Sequence, residues 1–368
     1  MSLAGQYSLA GHVWIASSGS TTALSDSVKL IALSHRALLA SAKAVNNHLE
    51  SDHGDCWVQV LPRFHVGGLG IEVRASLTGA RVVSALVGDD GSELRWNCEY
   101  FVSVCENNKV TLGSLVPTQI YDLINAGLRA PKSLRAIVIG GGALNPELYK
   151  KARLLGWPLL PSFGMTEACS QVATAPLSLI PTNDPGKQPE EQTPLKLLPH
   201  LEARVGQEDR LLLRGHSLLT GYAQIRNGEY VWIDPKNREG WFETEDLIEL
   251  KDGFLRPLGR RGDYIKVLGE GVSLLQLQQK LEVALIARGF ATSSAVVFSR
   301  SDARQGSELI LVFESQVPEK AQEDLRQDFN HSVRPYERVH RIEEVDSLPR
   351  SELGKLKRNE LAHKLRFT

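Results

Sequence analysis

The chain has 368 residues, of which 42% are hydrophobic and 23% charged, and it carries a net charge of −1 with a pI of about 6.8. This balance predicts two or three domains with substantial cores, and it indicates neither a nucleic-acid partner nor a membrane-surface partner. No apolar run approaches the roughly 20 residues of a membrane helix. The four cysteines form no CxxC pair, so neither a zinc site nor a disulfide framework is predicted, and a cytoplasmic location suits them.

The first predicted element is a strand, His12–Ser17, that leads into a loop rich in glycine, serine and threonine and ending at Lys29. Backbone N–H groups and hydroxyls of such a loop can face a phosphate, and a lysine adds positive charge. The pattern favours a phosphate site, although it is not a Walker A loop; a flexible surface loop is the alternative. The candidate ligands are Ser17, Ser18, Gly19, Ser20, Thr21, Thr22 and Lys29.

Helices and strands alternate through the next part of the chain. The predicted helices are Ser34–Leu49, Cys98–Asn107, Pro117–Asn125 and Pro146–Leu155, and the predicted strands are Cys56–Leu61, Arg81–Ser84, Val110–Leu115, Leu134–Ile139 and Trp157–Leu160. In open α/β sheets, ligands bind beyond the carboxyl ends of the strands. His65 follows one such strand, and three glycines beginning at Gly140 follow another. Each signal is weak alone, because a lone histidine is more often structural and many tight turns use glycine.

The central motif lies in Pro161–Thr174, directly after a predicted strand. Gly164 is expected to allow a sharp turn. Thr166 and Glu167 then offer a hydroxyl and a carboxylate side by side. A hydroxyl can bind a phosphate oxygen, and a carboxylate can hold a Mg²⁺ ion that bridges phosphates. The alternative is a helix start, where threonine followed by glutamate is common.

After residue 194 the pattern changes to short strands, which predict a β-rich subdomain. Its predicted strands are Leu201–Val205, Arg210–Arg214, Tyr230–Ile233, Leu247–Leu250 and Phe254–Pro257. Asp246 is expected at a strand start, where its carboxylate could accept both hydroxyls of a ribose; a solvated turn residue is the alternative.

The segment Gly259–Val272 contains four glycines and is a candidate hinge. The residues after it predict one compact domain. Its predicted elements are helices Leu274–Ala287 and Glu319–Asn330, strands Ser294–Phe298, Glu308–Glu314 and Val339–Val345, and a terminal helix preceded by an exposed loop with Lys355. The predicted domains are residues 1–259, with the β-rich subdomain at about 200–258, and residues 260–368.

In this order the segments resemble the motifs of the acyl-adenylate-forming superfamily, which includes acyl-CoA synthetases, luciferases and peptide-synthetase adenylation domains. The matching segments are Ser17–Lys29, Pro62–His65, Gly141–Ala143, Phe163–Glu167, Asp246, Gly259–Asp263 and Gly354-Lys355. Within the superfamily, Ser114–Gln119 and Thr166–Thr174 look most like o-succinylbenzoate–CoA ligases of menaquinone biosynthesis. The resemblance implies an α/β fold with a large N-terminal domain of mixed sheets and helices, shortened at its start, and a small α+β domain after the hinge.

The function implied by the resemblance is an ATP-dependent ligation of a carboxylic acid to coenzyme A through an acyl-AMP intermediate. Thr166 would contact phosphate, Glu167 would hold Mg²⁺, and Lys355 would neutralise charge in the first step. Asp246 and Arg260 would hold the ribose. The other residues implied for the nucleotide are Gly141, Gly142, Ala143, Phe163, Gly164 and Met165, and those for the acid are Arg63, His65 and Gln119. Arg63 could pair with the second carboxylate of a diacid; a surface arginine is the alternative.

Three features depart from the superfamily pattern. The superfamily carries a long segment before the phosphate loop, which here begins at Ser17, so part of the acyl pocket is expected from a homodimer partner or is absent. The loop is longer than usual, with Thr22 in place of a glycine and Lys29 displaced, and Gly262 occupies the hinge position. Two alternative functions therefore stay open, a weakened or non-catalytic nucleotide-binding homologue and an adenylating enzyme that loads a carrier protein.

Overall fold

The computed structural model describes residues 9–17, 29–88, 92, 94–180, 194–226, 229–302, 306–351 and 354–366. The chain forms two compact units, Met1–Thr244 with Ile248–Pro257, and Glu245–Leu247 with Leu258–Thr368. Among helices built from the described residues, none has the length and apolar character needed to cross a bilayer.

Strands β1 to β15 and helices α1 to α5 precede the C-terminal part of the chain. The strands are β1 (His12–Ser17), β2 (Lys29–Ser34), β3 (Cys56–Gln59), β4 (Arg81–Ser84), β5 (Leu112–Leu115), β6 (Ala136–Ile139), β7 (Leu159–Met165), β8 (Ser170–Thr174), β9 (Leu195–Leu197), β10 (Leu201–Val205), β11 (Arg210–Gly215), β12 (Gly221–Arg226), β13 (Glu229–Ile233), β14 (Phe242–Lys251) and β15 (Phe254–Arg260). The helices are α1 (His35–Leu49), α2 (Val66–Thr78), α3 (Cys98–Asn107), α4 (Pro117–Asn125) and α5 (Pro146–Leu154).

An 11-stranded sheet dominates the first unit, in the order β10-β11-β14-β15-β9-β8-β7-β6-β5-β3-β4. Strands β7, β6, β5, β3 and β4 run parallel, and β8 and β9 then pair antiparallel. Strands β3, β5 and β6 are buried along their whole length, as expected for parallel strands between helices. A second sheet has the order β1-β2-β12-β13. The predicted α/β fold class is confirmed.

Side-chain caps visible in the sequence explain where two of the helices begin. Ser34 Oγ accepts a hydrogen bond from the Ala37 N–H at 3.1 Å and starts α1. Asn145 Oδ1 accepts from the Glu147 N–H at 2.9 Å and starts α5. Each cap satisfies an N–H that the first helical turn leaves unpaired. The bounds predicted for α3 and α4 agree with the structure.

Helix α2 was not predicted, because its first residues are rich in glycine, which lowers helix propensity. The structure gives Gly68 a packing role: a Cβ there would clash with the backbone of Leu61 and Pro62. Strands β2, β8, β9 and β12 were also missed. Strand β9 has only three residues, and β2 carries a continuous apolar run in place of the alternation that marks a half-buried strand.

The predicted turn at Gly164 is wrong. The strand predicted to end at Leu160 starts at Leu159 and continues through Gly164 to Met165, pairing antiparallel with β8. The register shifts between Phe163 and Gly164, and a Cβ at Gly164 would clash with the carbonyl oxygen of Ser170. Glycine is needed here for close backbone approach at a bulge.

The second unit contains a two-stranded sheet of β16 (Tyr264–Val267) and β17 (Glu270–Ser273) and a three-stranded sheet of β18 (Ala295–Asp302), β19 (Gly306–Glu314) and β20 (Arg341–Val345). Its helices are α6 (Leu274–Ala287), α7 (Glu319–Ser332) and α8 (Arg358–Lys364). Leu281, Phe313 and Phe329 are fully buried in its core. The bounds predicted for α6 agree with the structure.

We expect Gly164→Ala to lower the free energy of unfolding by roughly 1–3 kcal/mol, the usual cost of overpacking. Gly142→Ala is the matched control in the same unit, since a Cβ at Gly142 would be in ordinary contact, 3.6 Å from Pro117. Urea denaturation of both variants measures the difference. Equal midpoints would contradict the role given to Gly164.

Candidate functional site

The carboxyl ends of four adjacent parallel strands, β3, β5, β6 and β7, form one edge of the large sheet. His65 lies in the loop after β3 as the N-cap residue of α2, and Gln119 lies in the first turn of α4 after β5. Gly141–Ala143 follow β6, and Thr166 follows β7. The fold therefore brings these predicted site residues to the edge where open α/β sheets bind ligands.

A single 3₁₀ turn, Thr166–Ala168, connects β7 to the antiparallel strand β8. Ala168 is fully buried, and Cys169 and Ser170 have φ angles of 55° and 103°. The residues directly after Thr166 form this turn and then β8, and they form no α-helix. The alternative of a helix start therefore does not describe this motif. The strained turn instead presents the Glu167 side chain, which is only partly exposed.

Glu167 is held through both its backbone and its side chain. Its carbonyl oxygen accepts from the Leu219 N–H at 2.8 Å, and its Oε1 accepts from the Tyr222 hydroxyl at 3.1 Å. Lys29 Nζ lies 3.8 Å from the same Oε1 and 3.5 Å from the centroid of the Tyr222 ring. Burial and the charge of Glu167 raise the pKa of Tyr222, so the hydroxyl stays protonated and donates.

The predicted phosphate loop joins two antiparallel strands. Ser17 ends β1 and pairs with Lys29, which begins β2. Ser18, Gly19, Ser20, Thr21 and Thr22 lie outside the described residues. The lysine at the far end of the loop is therefore fixed by a strand. Neither this strand nor Tyr222 was predicted from the sequence.

The donor set at Glu167 fits Mg²⁺. Within the described ranges, no group of three or more histidine, cysteine, aspartate or glutamate side chains could hold a metal ion. Mg²⁺ is usually held by one or two carboxylates together with substrate phosphates and water, and it needs no such cluster. Glu167 lies 3.8 Å from Lys29, at the end of the predicted phosphate loop, and could supply one such carboxylate.

Two arginines near the motif Pro62–His65 differ in environment. Arg63 is 70% exposed and pairs with Glu72 at 2.8 Å. Arg74 on α2 is 1% exposed, donates to Ser170 Oγ at 3.2 Å, and lies 5.6 Å from the Trp57 ring. Burial lowers the pKa of Arg74 to about 10. In the part of the chain that the structure describes, no carboxylate forms an ion pair with Arg74.

Arg74 was not predicted as a site residue. One signal could have found it: Arg74 lies three residues after Ile71 and beside Ala75, in the apolar face that α2 buries. A charged residue in such a face is rarely buried unless it is paired.

The remaining predicted acid-site residues have clear local roles. Gln119 is buried, and its Oε1 accepts from the Val116 N–H at 3.0 Å, closing the start of α4. The ring of His65 lies 4.7 Å from that of Phe64, which is largely exposed. Their contacts with substrate stay predictions.

Asp246 and Arg260 are brought together: Arg260 Nε donates to Asp246 Oδ1 at 3.0 Å. The expected position of Asp246 at a strand start is wrong, because Asp246 lies within β14. The alternating burial of β14 places its carboxylate on the buried side, which excludes the alternative of a solvated turn residue.

Lys355 lies in a tight loop of the second unit. Gly354 has a φ angle of 76°, and the Ser351 N–H donates to the Lys355 carbonyl oxygen at 2.8 Å. Arg350 fixes the loop by donating to the carbonyl oxygens of Gly354 and Ser293, each at 2.9 Å. The lysine side chain is exposed.

A family model described as AMP-binding enzyme matches residues 13–223, more than half of the chain. The chain belongs to the AMP-binding enzyme family. This membership confirms the superfamily resemblance. The matched range includes the predicted phosphate loop, the sheet edge and the segment that holds Glu167.

Relatives within the AMP-binding family agree with the narrower resemblance. The 2-succinylbenzoate–CoA ligases of Staphylococcus epidermidis and Staphylococcus aureus are each 30% identical to this chain, over 328 and 341 residues. The matches cover 88% and 90% of this chain, which spans 64% of the length of each relative. An o-succinylbenzoate CoA synthetase from Bacillus subtilis, solved with the acyl-adenylate intermediate OSB-AMP, is 25% identical with a TM-score of 0.72, covering 95% of this chain and 68% of that chain.

If Asp246 binds a ribose, we expect Asp246→Asn to weaken AMP binding roughly 10- to 100-fold, since a hydrogen bond to a charged group contributes about 1.5–3 kcal/mol. Glu249→Gln is the matched control, because Glu249 pairs with Arg256 on the surface of the same hairpin. Isothermal titration calorimetry with AMP measures both. An equal loss in the two variants would reject a specific role for Asp246.

Proposed function

We propose that this protein is an ATP-dependent acid–CoA ligase that acts on 2-succinylbenzoate. The proposal rests on two features found together. A 3₁₀ turn presents Thr166 and Glu167 at the end of β7, and the buried guanidinium of Arg74 has no carboxylate partner among the described residues. Arg74 reaches Ser170, only three residues beyond Glu167. A site with both features suits an acid that carries a second negative charge.

In the first half-reaction a carboxylate oxygen of the acid attacks the α-phosphorus of ATP, and the bond to pyrophosphate breaks. In the second, the CoA thiol attacks the acyl carbon, loses its proton, and AMP leaves. The protein supplies little covalent chemistry, so positioning and charge neutralisation carry the rate. Mg²⁺, when bound, would neutralise phosphate charge.

The nucleotide would be held by residues from both halves of the sequence. Thr166 would contact phosphate, and Glu167 would hold the metal ion. The phosphate loop, Ser17–Thr22 and Lys29, would cradle the phosphates. The segments Gly141–Ala143 and Phe163–Met165 would line the adenosine, and Asp246 with Arg260 would hold the ribose.

Arg74 supplies the argument for a diacid. Removing a guanidinium from water costs several kcal/mol when no anion compensates it, and one hydroxyl acceptor compensates little. A substrate carboxylate would restore the balance and would bind bidentately to the planar fork. Arg63, the candidate from the sequence, already pairs with Glu72 in solvent and has less to gain.

We expect Arg74→Gln to lower kcat/KM for 2-succinylbenzoate roughly 10- to 100-fold, and to change kcat/KM for benzoate much less. Arg63→Gln, the exposed control, should change neither substrate markedly. Steady-state kinetics of both variants with the two acids measure the effect. Equal losses for the diacid and the monoacid in Arg74→Gln would show that Arg74 serves packing alone, and selective loss in Arg63→Gln would return the role to Arg63.

Lys355 belongs to the second unit, so its proposed use in the first half-reaction requires that unit to move about Gly262 between steps. Gly262 has no atom near the position of a Cβ, so it is free of packing restraint. We expect Lys355→Ala to slow acyl-AMP formation by about 10²–10³. Conversion of supplied acyl-AMP and CoA to thioester should persist. Equal loss of both half-reactions would make Lys355 structural.

Product analysis tests the proposed function. The protein is incubated with ATP, Mg²⁺, CoA and 2-succinylbenzoate, and mass spectrometry follows the acyl-CoA thioester. The expected result is a CoA thioester with one AMP per turnover. Accumulation of acyl-AMP that CoA does not consume would favour a carrier-protein acceptor, and absence of both products would favour a non-catalytic nucleotide-binding role.

A further inference from the structure

Tyr222 joins the two charged groups of the nucleotide site. Its hydroxyl donates to Glu167 Oε1 at 3.1 Å, and its ring face lies 3.5 Å from Lys29 Nζ. The strand register explains why. Tyr222 on β12 pairs with Ile31 on β2, and Lys29 precedes Ile31 by two residues, on the same face of β2. Lys29 is therefore the diagonal neighbour of Tyr222, within reach of an aromatic ring.

The segment that carries Tyr222 is anchored independently of Glu167. Lys236 Nζ donates to the carbonyl oxygens of Leu219 and Thr220, at 2.9 and 3.1 Å. His12 Nε2 lies 2.8 Å from Thr220 Oγ1. Because these bonds fix the segment, Tyr222 approaches Glu167 from a rigid support, and the Leu219 N–H fixes the backbone of the same glutamate.

We propose that Tyr222 is a positioning residue of the nucleotide site, which fixes one carboxylate oxygen of Glu167 so that the other faces the metal ion, and whose ring supports the ammonium of Lys29 beside the phosphates. This inference rests on the proposed function. A carboxylate held by one oxygen has a fixed orientation, which suits Mg²⁺ because this ion demands near-ideal octahedral geometry and is usually held by one or two carboxylates together with substrate phosphates. A cation over an aromatic face keeps its charge while its side chain is oriented.

Two substitutions at one position separate the two parts of the role. Tyr222→Phe removes the hydroxyl and keeps the ring, so the Mg²⁺ concentration at half-maximal ATP binding should rise roughly five- to tenfold, while ATP binding without Mg²⁺ stays within about twofold. Tyr222→Leu also removes the ring, and should weaken ATP binding without Mg²⁺ by a further roughly two- to fivefold.

Isothermal titration calorimetry with ATP across a Mg²⁺ series reports binding without turnover. Tyr100→Phe is the matched control, since Tyr100 lies on α3 and its hydroxyl donates to the carbonyl oxygen of Val87, and it should leave every curve unchanged. In a Glu167→Gln background, Tyr222→Phe should have no further effect on the Mg²⁺ midpoint.

If ATP binding by the wild type depends on Mg²⁺ and Tyr222→Phe gives the same curves, the inference is overturned. The proposed function would still stand. Equal weakening of Tyr222→Phe with and without Mg²⁺ would also overturn it, because the hydroxyl would then be only structural. Wild-type ATP binding that ignores Mg²⁺ would overturn the proposed function and this inference together.

Discussion

The site depends on the contacts of one carboxylate, that of Glu167, which join the large sheet to the smaller sheet. Glu167 lies between β7 and β8 of the large sheet, and its partners Tyr222 and Lys29 lie on the smaller sheet. The Leu219 N–H adds a backbone bond to the same residue. These bonds fix the two sheets relative to each other, and a charged group lies where they meet. The partly buried position strengthens these charge interactions relative to water.

The parallel strands supply the rest of the site's geometry. Four neighbouring strands end at one edge, so residues far apart in the sequence reach the same place. The antiparallel return through β8 then brings Ser170 to the buried guanidinium of Arg74. The β7–β8 hairpin, which turns at Thr166–Ala168, thus connects Glu167 to the residue that Arg74 contacts. A bulge and a strained turn are common devices for aiming side chains at a site.

The sequence predicted what local signals determine. Helices with clear caps or apolar periodicity, such as Pro117–Asn125 and Leu274–Ala287, were predicted with the correct bounds, and the motif order indicated the family. It did not predict Gly164 as a strand residue, because only the approach of Ser170 requires glycine there. Nor did it find Arg74 or Tyr222, whose roles depend on tertiary neighbours.

We propose that a diacid is activated at the site built around Glu167 and Arg74. ATP–pyrophosphate exchange tests it most directly, because it reports the first half-reaction without CoA. We expect exchange that depends on both 2-succinylbenzoate and Mg²⁺ and that is far weaker with benzoate or succinate. Exchange that is equal for all three acids, or absent while AMP still binds, would contradict it.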